Sequence, residues 1–229
     1  GNFTIRAADG PSQGSLSQTV ATIRGTSTTE QVTASVIADP TQKTATKLWE
    51  TLTPNVASAD VDTRVVMGSS GTLFFISGEG GPAQVHSVNS TDGSENWVAN
   101  LTTDSQASPI LSQDESVLYI GDAGGNLTAL NTSNGNELWS FDTGNTDDIR
   151  TKPALSPDGS TVYFGSRDDN LYAVNTADGS LKWKFDANGN IDSSPVVDAA
   201  GVIYFGSNSN HTYAVEDNGG SASQKWRQN

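Results

Sequence analysis

Tryptophan recurs along this chain at a nearly constant interval. Trp49, Trp97, Trp139, Trp183 and Trp226 are separated by 48, 42, 44 and 43 residues. A period of this length is that of one four-stranded propeller blade. One such sheet cannot bury both of its faces alone, so its neighbours must stack against it.

Other residues repeat in register with the tryptophans. Gly93, Gly135 and Gly179 each stand four residues before a Trp and follow Asp92, Asn134 and Asp178. An Asx-Gly pair between two apolar runs signals a hairpin, because Gly takes the positive φ that a tight turn demands. After the turn, period-2 alternation places Leu181, Trp183 and Phe185 on one strand face and Lys182 and Lys184 on the other. Upstream, Val117–Gly121 matches Thr161–Gly165 and Val202–Gly206, with the Gly expected to end the strand and release the backbone into a turn. Opening strands read at Ser108–Leu111, Lys152–Leu155 and Ser194–Val197, since Pro is tolerated where a strand begins. Each unit is therefore four antiparallel strands. The expected fold is all-β, a propeller of about five four-stranded blades with a degenerate N-terminal blade.

The pattern Ala-x-Asn-x-x-x-Gly-x-x-x-Trp, with Tyr-Phe-Gly-Ser and Ser-Pro-Val-Val upstream, resembles the pyrroloquinoline-quinone-like (PQQ-like) propeller repeat. Its clearest copies span residues 104 to 216. The resemblance implies that tryptophans dock one blade on the next, a role carried to Trp97, Trp139 and Trp183 and extended to Trp49 and Trp226. The family includes quinoprotein dehydrogenases, outer-membrane assembly factors and surface propellers. The dehydrogenases carry a vicinal cysteine pair near the quinone. This chain has no Cys, so no quinone is expected.

The ends are less regular. Phe3–Ile5, Val20–Ile23 and Val32–Ile37 read as strands among Ser-, Gly- and Thr-rich turns. Residues 1–46 are an irregular β segment, either a degenerate first blade or an arm for assembly, with Val32–Ile37 as a third strand and Trp49 on the fourth. Residues 47–229 hold the repeats, and the whole is one domain. Gly1 at the start fits either a processed N-terminus or a segment cut from a longer chain.

Composition narrows the function. The net charge of −14 repels phosphate backbones and anionic bilayers, so neither nucleic acid nor membrane insertion is expected. The absence of Cys excludes disulfides and thiol catalysis. His86 and His211, the two histidines, occupy different positions in their repeats and sit in no catalytic motif. Asp147, Asp148, Asp168 and Asp169 fall in turns, where Asp caps its own backbone. No catalytic residue, cofactor ligand or metal ligand is assigned. One segment, Asp186 to Asp192, alternates oxygen side chains as calcium loops do, but its Gly is displaced and no bidentate Glu follows; it is read as an inter-blade loop, with calcium as the minor alternative. Sequons at Asn2, Asn89, Asn100, Asn126, Asn131 and Asn210 would carry glycans in a secreted protein. The expectation is a non-enzymatic extracellular or cell-surface propeller, with the periplasm as the alternative location. It would be a structural, self-assembling subunit, filaments included, whose partners are its own copies or other surface proteins. The alternatives are a monomeric binder of proteins or glycans and a fragment of a quinone-dependent oxidoreductase.

Overall fold

The computed structural model describes residues 31–34, 49–52, 65–78 and 81–229. The strands read at Phe3–Ile5 and Val20–Ile23, the proposed arm apart from residues 31–34, the 46/47 boundary and Asn2 lie outside them. Among the described residues there is no helix, hence none long and apolar enough to cross a membrane.

Strands β1 (Gln31–Ala34) and β2 (Trp49–Leu52) form a two-stranded antiparallel sheet. Four four-stranded sheets follow. The first blade holds β3 (Val66–Met67), β4 (Thr72–Ser77), β5 (Gln84–Asn89) and β6 (Glu95–Asn100). The second holds β7 (Ile110–Leu111), β8 (Val117–Gly121), β9 (Asn126–Asn131) and β10 (Glu137–Asp142). The third holds β11 (Ala154–Leu155), β12 (Thr161–Gly165), β13 (Asn170–Asn175) and β14 (Leu181–Asp186). The fourth holds β15 (Val196–Val197), β16 (Val202–Ser207), β17 (His211–Asp217) and β18 (Ala222–Gln228). Within each sheet the spatial order is the chain order, and every pairing is antiparallel.

The register lines up one row of side chains across each blade. In the second blade the row is Ile110, Tyr119, Ala129 and Trp139. In the third it is Ala154, Tyr163, Ala173 and Trp183, and in the fourth Val196, Tyr204, Ala214 and Trp226. The first blade substitutes Val66, Phe74, Ser87 and Trp97. The small third member leaves room for the aromatic and the indole to meet over it: ring centroids of Tyr119–Trp139 and Tyr163–Trp183 are both 5.7 Å apart. In the two-stranded sheet Ala34 pairs with Trp49, the register of a third and fourth strand.

Three cores lie between successive blades. The tryptophan face of the first blade packs on Leu118, Ile120 and Leu130 of the second. That of the second packs on Val162, Phe164, Tyr172 and Val174, and that of the third on Ile203, Phe205, Tyr213 and Val215. Each blade thus has a tryptophan face and a receiving face, and period-2 alternation supplies both.

Two expectations from the sequence are corrected. Leu181 does not share the buried face of Trp183: it is 47% exposed, and Leu138 is 50% exposed. A β-bulge opposite Ala173/Val174 puts two residues of β14 against one of β13 and breaks the alternation just before the Trp. Gly121 and Gly165 do end their strands, but neither takes the positive φ of a turn glycine. A Cβ on Gly121 would stand 2.3 Å from Ile149, and one on Gly165 would stand 2.2 Å from Ile191. They are bare because the connector leaving the blade folds back onto the strand there. The turn glycines are Gly93, Gly135 and Gly179, with φ of 72°, 73° and 72°.

Candidate docking surfaces

The junctions between blades are built by the tryptophan rows. Trp97 donates its indole N–H to the Thr132 carbonyl at 2.8 Å, and Trp139 donates to the Thr176 carbonyl at 3.0 Å. Both acceptors lie in the Asx-Gly turn of the following blade. The rings lie flat enough on that turn that a Cβ on Gly135 would meet Trp97 at 2.6 Å, and one on Gly179 would meet Trp139 at 2.7 Å. Glycine therefore answers two needs here, the left-handed backbone and the absence of a side chain beneath the indole.

The third junction uses different chemistry. Trp183 donates to the Asp217 carboxylate at 2.8 Å. Asp217 also accepts from the Tyr163 hydroxyl and the Gly219 amide, at 2.8 and 2.7 Å. The Lys182 ammonium stands 3.5 Å away. Burial pushes the Asp217 carboxyl up, but the hydrogen bonds from Trp183, Tyr163 and Gly219 and the charge of Lys182 outweigh it and hold it below the usual carboxylate range.

The fourth row has no described blade beyond it. Trp226 is 40% exposed and Val196 61% exposed. The Tyr204–Trp226 centroid distance, 5.9 Å, matches the covered rows. The polar groups of this face are satisfied inside the blade: Tyr204 donates to Asp198 at 2.9 Å, and Lys225 pairs with Glu216 at 2.6 Å. Of the tryptophans named as docking elements, Trp97, Trp139 and Trp183 each reach the next blade. Trp226 stands open, and for Trp49 the backbone pairing with Ala34 is what is described.

A second surface lies at one end of the blades, where the connectors run back over the hairpins between second and third strands. Ala123 N–H donates to Asp104 O at 2.8 Å, Arg167 N–H to Asp148 O at 3.1 Å, and Asn208 N–H to Asn190 O at 2.8 Å. A charged ladder crosses this end from the second connector to the fourth blade. Arg150 pairs with Asp148 at 2.6 Å. Arg167 lies 3.9 Å from Asp148 and 3.1 Å from Asp192, and Asn208 donates to Asp192 at 2.9 Å. The four turn aspartates do not pair as catalytic carboxylates. Asp148 belongs to the ladder, and Asp168 accepts from Asn170, Asn145 and Tyr172. Asp147 donates its backbone N–H to Asn145, and Asp169 takes a left-handed φ of 71°. In the calcium-like segment, Asp186 accepts from the Asn188 amide at 2.7 Å while Asp192 is held by Arg167 and Asn208.

The sequons fall on turns and strand ends. Asn89 and Asn131 use their side-chain oxygens to cap Thr91 and Ser133. Asn100 accepts from Gln84, and Asn210 is exposed with φ 64°. Asn126 is half-buried and donates its amide to the buried Asp122 carboxylate at 3.2 Å.

Inside the first blade His86, read from the sequence as part of no catalytic motif, meets two residues overlooked there, Ser77 and Glu95. Ser77 Oγ lies 2.8 Å from His86 Nε2, and His86 Nδ1 lies 3.4 Å from Glu95. Hydroxyl, imidazole and carboxylate stand in the order of a hydrolytic relay, yet Ser77 is 1% exposed and presents no nucleophile to solvent. The ring of His86 stacks on Phe75 at 4.9 Å, as Tyr172 stacks on Phe164 and Tyr213 on Phe205. A recess of about 190 Å³ between the first and second blades is lined by Gly68, Ser70, Thr72 and Glu115, smaller than the roughly 300 Å³ at which ligand pockets begin.

Stacked four-stranded blades joined by a tryptophan repeat define a PQQ-like β-propeller. The match to known proteins is in accord: the family model described as outer membrane protein assembly factor BamB covers residues 33–229, and the chain belongs to that family. Among solved structures it is similar to BamB from Moraxella catarrhalis, with a TM-score of 0.64 and 17% identity over 82% of this chain and 56% of that one. The chain thus spans little more than half the length of that structure. No curated protein matches.

Proposed function

We propose that this chain is a non-enzymatic propeller that works by holding proteins, as a structural, self-assembling subunit at the cell surface, outside the cell or in the periplasm. The single observation that carries this reading is the docking row itself, an aromatic and a tryptophan meeting over a small residue, which fixes blade on blade at successive junctions. Membership in a family described as an assembly factor supports it. So does the use of the side-chain chemistry described above. The turn carboxylates cap backbone amides, the buried hydroxyl of Ser77 is spent on His86, and the recess is small.

The test is electron microscopy of the purified chain in physiological salt. Regular multimers are expected. Isolated single particles at every concentration would overturn the reading. They would favour the second one, a monomeric binder of proteins or glycans, for which the observation is the Arg150–Asp148–Arg167–Asp192 ladder on the connector end.

A further inference from the structure

Six Asx-Gly steps fall among the described residues: Asp92-Gly93, Asn134-Gly135, Asp158-Gly159, Asp178-Gly179, Asn188-Gly189 and Asn218-Gly219. All but one share a geometry. The glycine is left-handed, with φ between 72° and 85°, and its N–H is held. Gly93, Gly135, Gly159 and Gly179 donate to the carbonyls of Asn89, Asn131, Ser156 and Asn175 at 2.8–3.0 Å, and Gly219 donates to the Asp217 carboxylate at 2.7 Å. Asn188-Gly189, in the connector from the third blade to the fourth, is built the other way round. Here the asparagine is left-handed, with φ 55°, and the glycine is not. The Gly189 N–H has no acceptor among the described residues.

An asparagine followed by glycine can react with its own backbone. The glycine nitrogen attacks Cγ of the asparagine side chain. The new N–Cγ bond closes a succinimide ring as the Cγ–Nδ2 bond breaks, and Nδ2 leaves as ammonia with the proton given up by the backbone nitrogen. One water then opens the ring at either carbonyl, to aspartate or isoaspartate. Glycine favours the step because no Cβ obstructs the approach. The nitrogen must be free to turn onto the side chain, and a hydrogen bond from its N–H to a turn acceptor holds it back. Asn134, Asn188 and Asn218 are all exposed, so access to water does not separate them. Their engagement does. The Asn134 side-chain oxygen accepts from the Asn136 amide at 2.9 Å, and the Asn218 side-chain nitrogen donates to Ser223 at 3.0 Å. The Asn188 carboxamide has no hydrogen-bond partner among the described residues; only its backbone N–H is held, by Asp186 at 2.7 Å.

We propose that Asn188-Gly189 is a spontaneous modification site, at which Asn188 of the folded chain loses ammonia through the succinimide and becomes aspartate or isoaspartate ahead of Asn134 and Asn218. The connector is anchored on both sides of the step. Ala187 donates its N–H to the Asp169 carbonyl at 2.8 Å, and Ile191 donates to the Ser166 carbonyl at 3.1 Å. The product therefore sets a new carboxylate between Asp186 and Asp192, and in its isoaspartyl form an extra backbone atom, inside the segment that joins the third blade to the fourth.

Peptide mapping by mass spectrometry tests it, on the 229-residue chain held at mildly alkaline pH, once folded and once in guanidinium. Enzymatic methylation of isoaspartate reports the rearranged product. In the folded chain Asn188 should deamidate at least about fivefold faster than Asn134 or Asn218, the order of factor that one neutral hydrogen bond carries. In guanidinium the three rates should converge, since each is then an unrestrained Asn-Gly step. Asn188→Gln, whose extra methylene slows ring closure, should remove most of the ammonia that the folded chain releases; circular dichroism confirms that it folds. Equal rates at the three sites of the folded chain, or a faster rate at Asn134 or Asn218, overturn the proposal. A ranking that survives unchanged in guanidinium overturns it as well, because the preference would then owe nothing to the fold.

Discussion

The indole nitrogen of Trp183 lies 2.8 Å from the side-chain carboxylate of Asp217, where Trp97 and Trp139 reach backbone carbonyls instead. Asp217 aligns with Thr132 and Thr176, three residues beyond the row alanine, so a single residue change moves the acceptor from main chain to side chain. The carboxylate side chain is 12% exposed and the Lys182 side chain 17%. One partly buried anion thus collects an indole, a phenol, an amide and an ammonium, and fixes the third blade to the fourth.

Asp217→Ala leaves the Trp183 N–H and Tyr163 O–H without their acceptor in a closed junction. The expected loss is about 1.5–3 kcal/mol, the range for a hydrogen bond to a charged group. Asp217→Asn keeps an oxygen for Trp183 but not the charge facing Lys182, and should fall between. The pH dependence has a definite sign. The folded-state pKa is depressed below the ordinary 3.8. The stability Asp217 adds is therefore complete above that value and is lost as pH falls through the lower folded pKa. Urea unfolding should show wild type and Asp217→Ala far apart at pH 7 and converging as the pH drops below about 4. A constant gap would mean that the carboxylate charge plays no part.

Gly179 tests the stacking half of the junction. Alanine there must hold φ near 72° and place a methyl 2.7 Å from the Trp139 ring. The left-handed backbone alone costs about 1–2 kcal/mol, and displacing the indole from its bond to Thr176 adds to it. The equivalent change at Gly144, where φ is 85° and nothing stands within 4 Å, carries only the backbone cost. The difference between the two variants in thermal melting measures the packing of the indole on the turn.

The blade was legible because its signals are local. A Trp period, an Asx-Gly pair four residues before it and a Tyr-x-Gly strand all fall within one repeat, and period-2 alternation does the rest. What was not legible depends on pairs from different repeats or on a broken period. The bulge that exposes Leu138 and Leu181 has no residue signature of its own, since alternation is a property of regular pairing. Gly121 and Gly165 look like turn glycines until Ile149 and Ile191 are seen above them. Asp217 could be noticed only by aligning it with Thr132 and Thr176 and asking why Lys182 precedes the Trp it serves. Arg150, Arg167, Asp148 and Asp192 lie on three separate loops, and no spacing along the chain announces that they meet.

Gly121 and Ile149 offer a reciprocal test. The Gly121 backbone is unstrained, so Gly121→Ala costs the overlap of its methyl with Ile149, whose Cγ2, Cβ and carbonyl oxygen stand 2.3, 2.8 and 3.0 Å away. Overpacking of this kind costs about 1–3 kcal/mol. Ile149→Ala alone removes a fully buried side chain and should cost about 2–4 kcal/mol through the cavity it leaves. Together they should cost less than their sum, because removing Ile149 Cγ2 relieves the shortest of the new methyl's contacts. A double-mutant cycle with a coupling of at least about 1 kcal/mol is expected; strict additivity would place the two groups out of contact.

His86 makes the fold sensitive to mild acid. Burial pushes its pKa below the ordinary 6.5, and the hydrogen bond and charge of Glu95 offset this only in part. The unfolded chain therefore binds this proton more readily than the folded one. Stability due to neutral His86 is complete above about pH 6.5 and is lost as the pH falls toward the depressed folded value. The slope for one proton cannot exceed about 1.4 kcal/mol per pH unit. His86→Tyr installs the residue that the third and fourth blades use in the same stack, as Tyr172 and Tyr213, and removes the titration. Chemical unfolding between pH 7 and pH 5 should show wild type losing stability over that interval while His86→Tyr stays comparatively flat. Parallel curves for the two proteins would move the acid sensitivity away from the Ser77–His86–Glu95 relay.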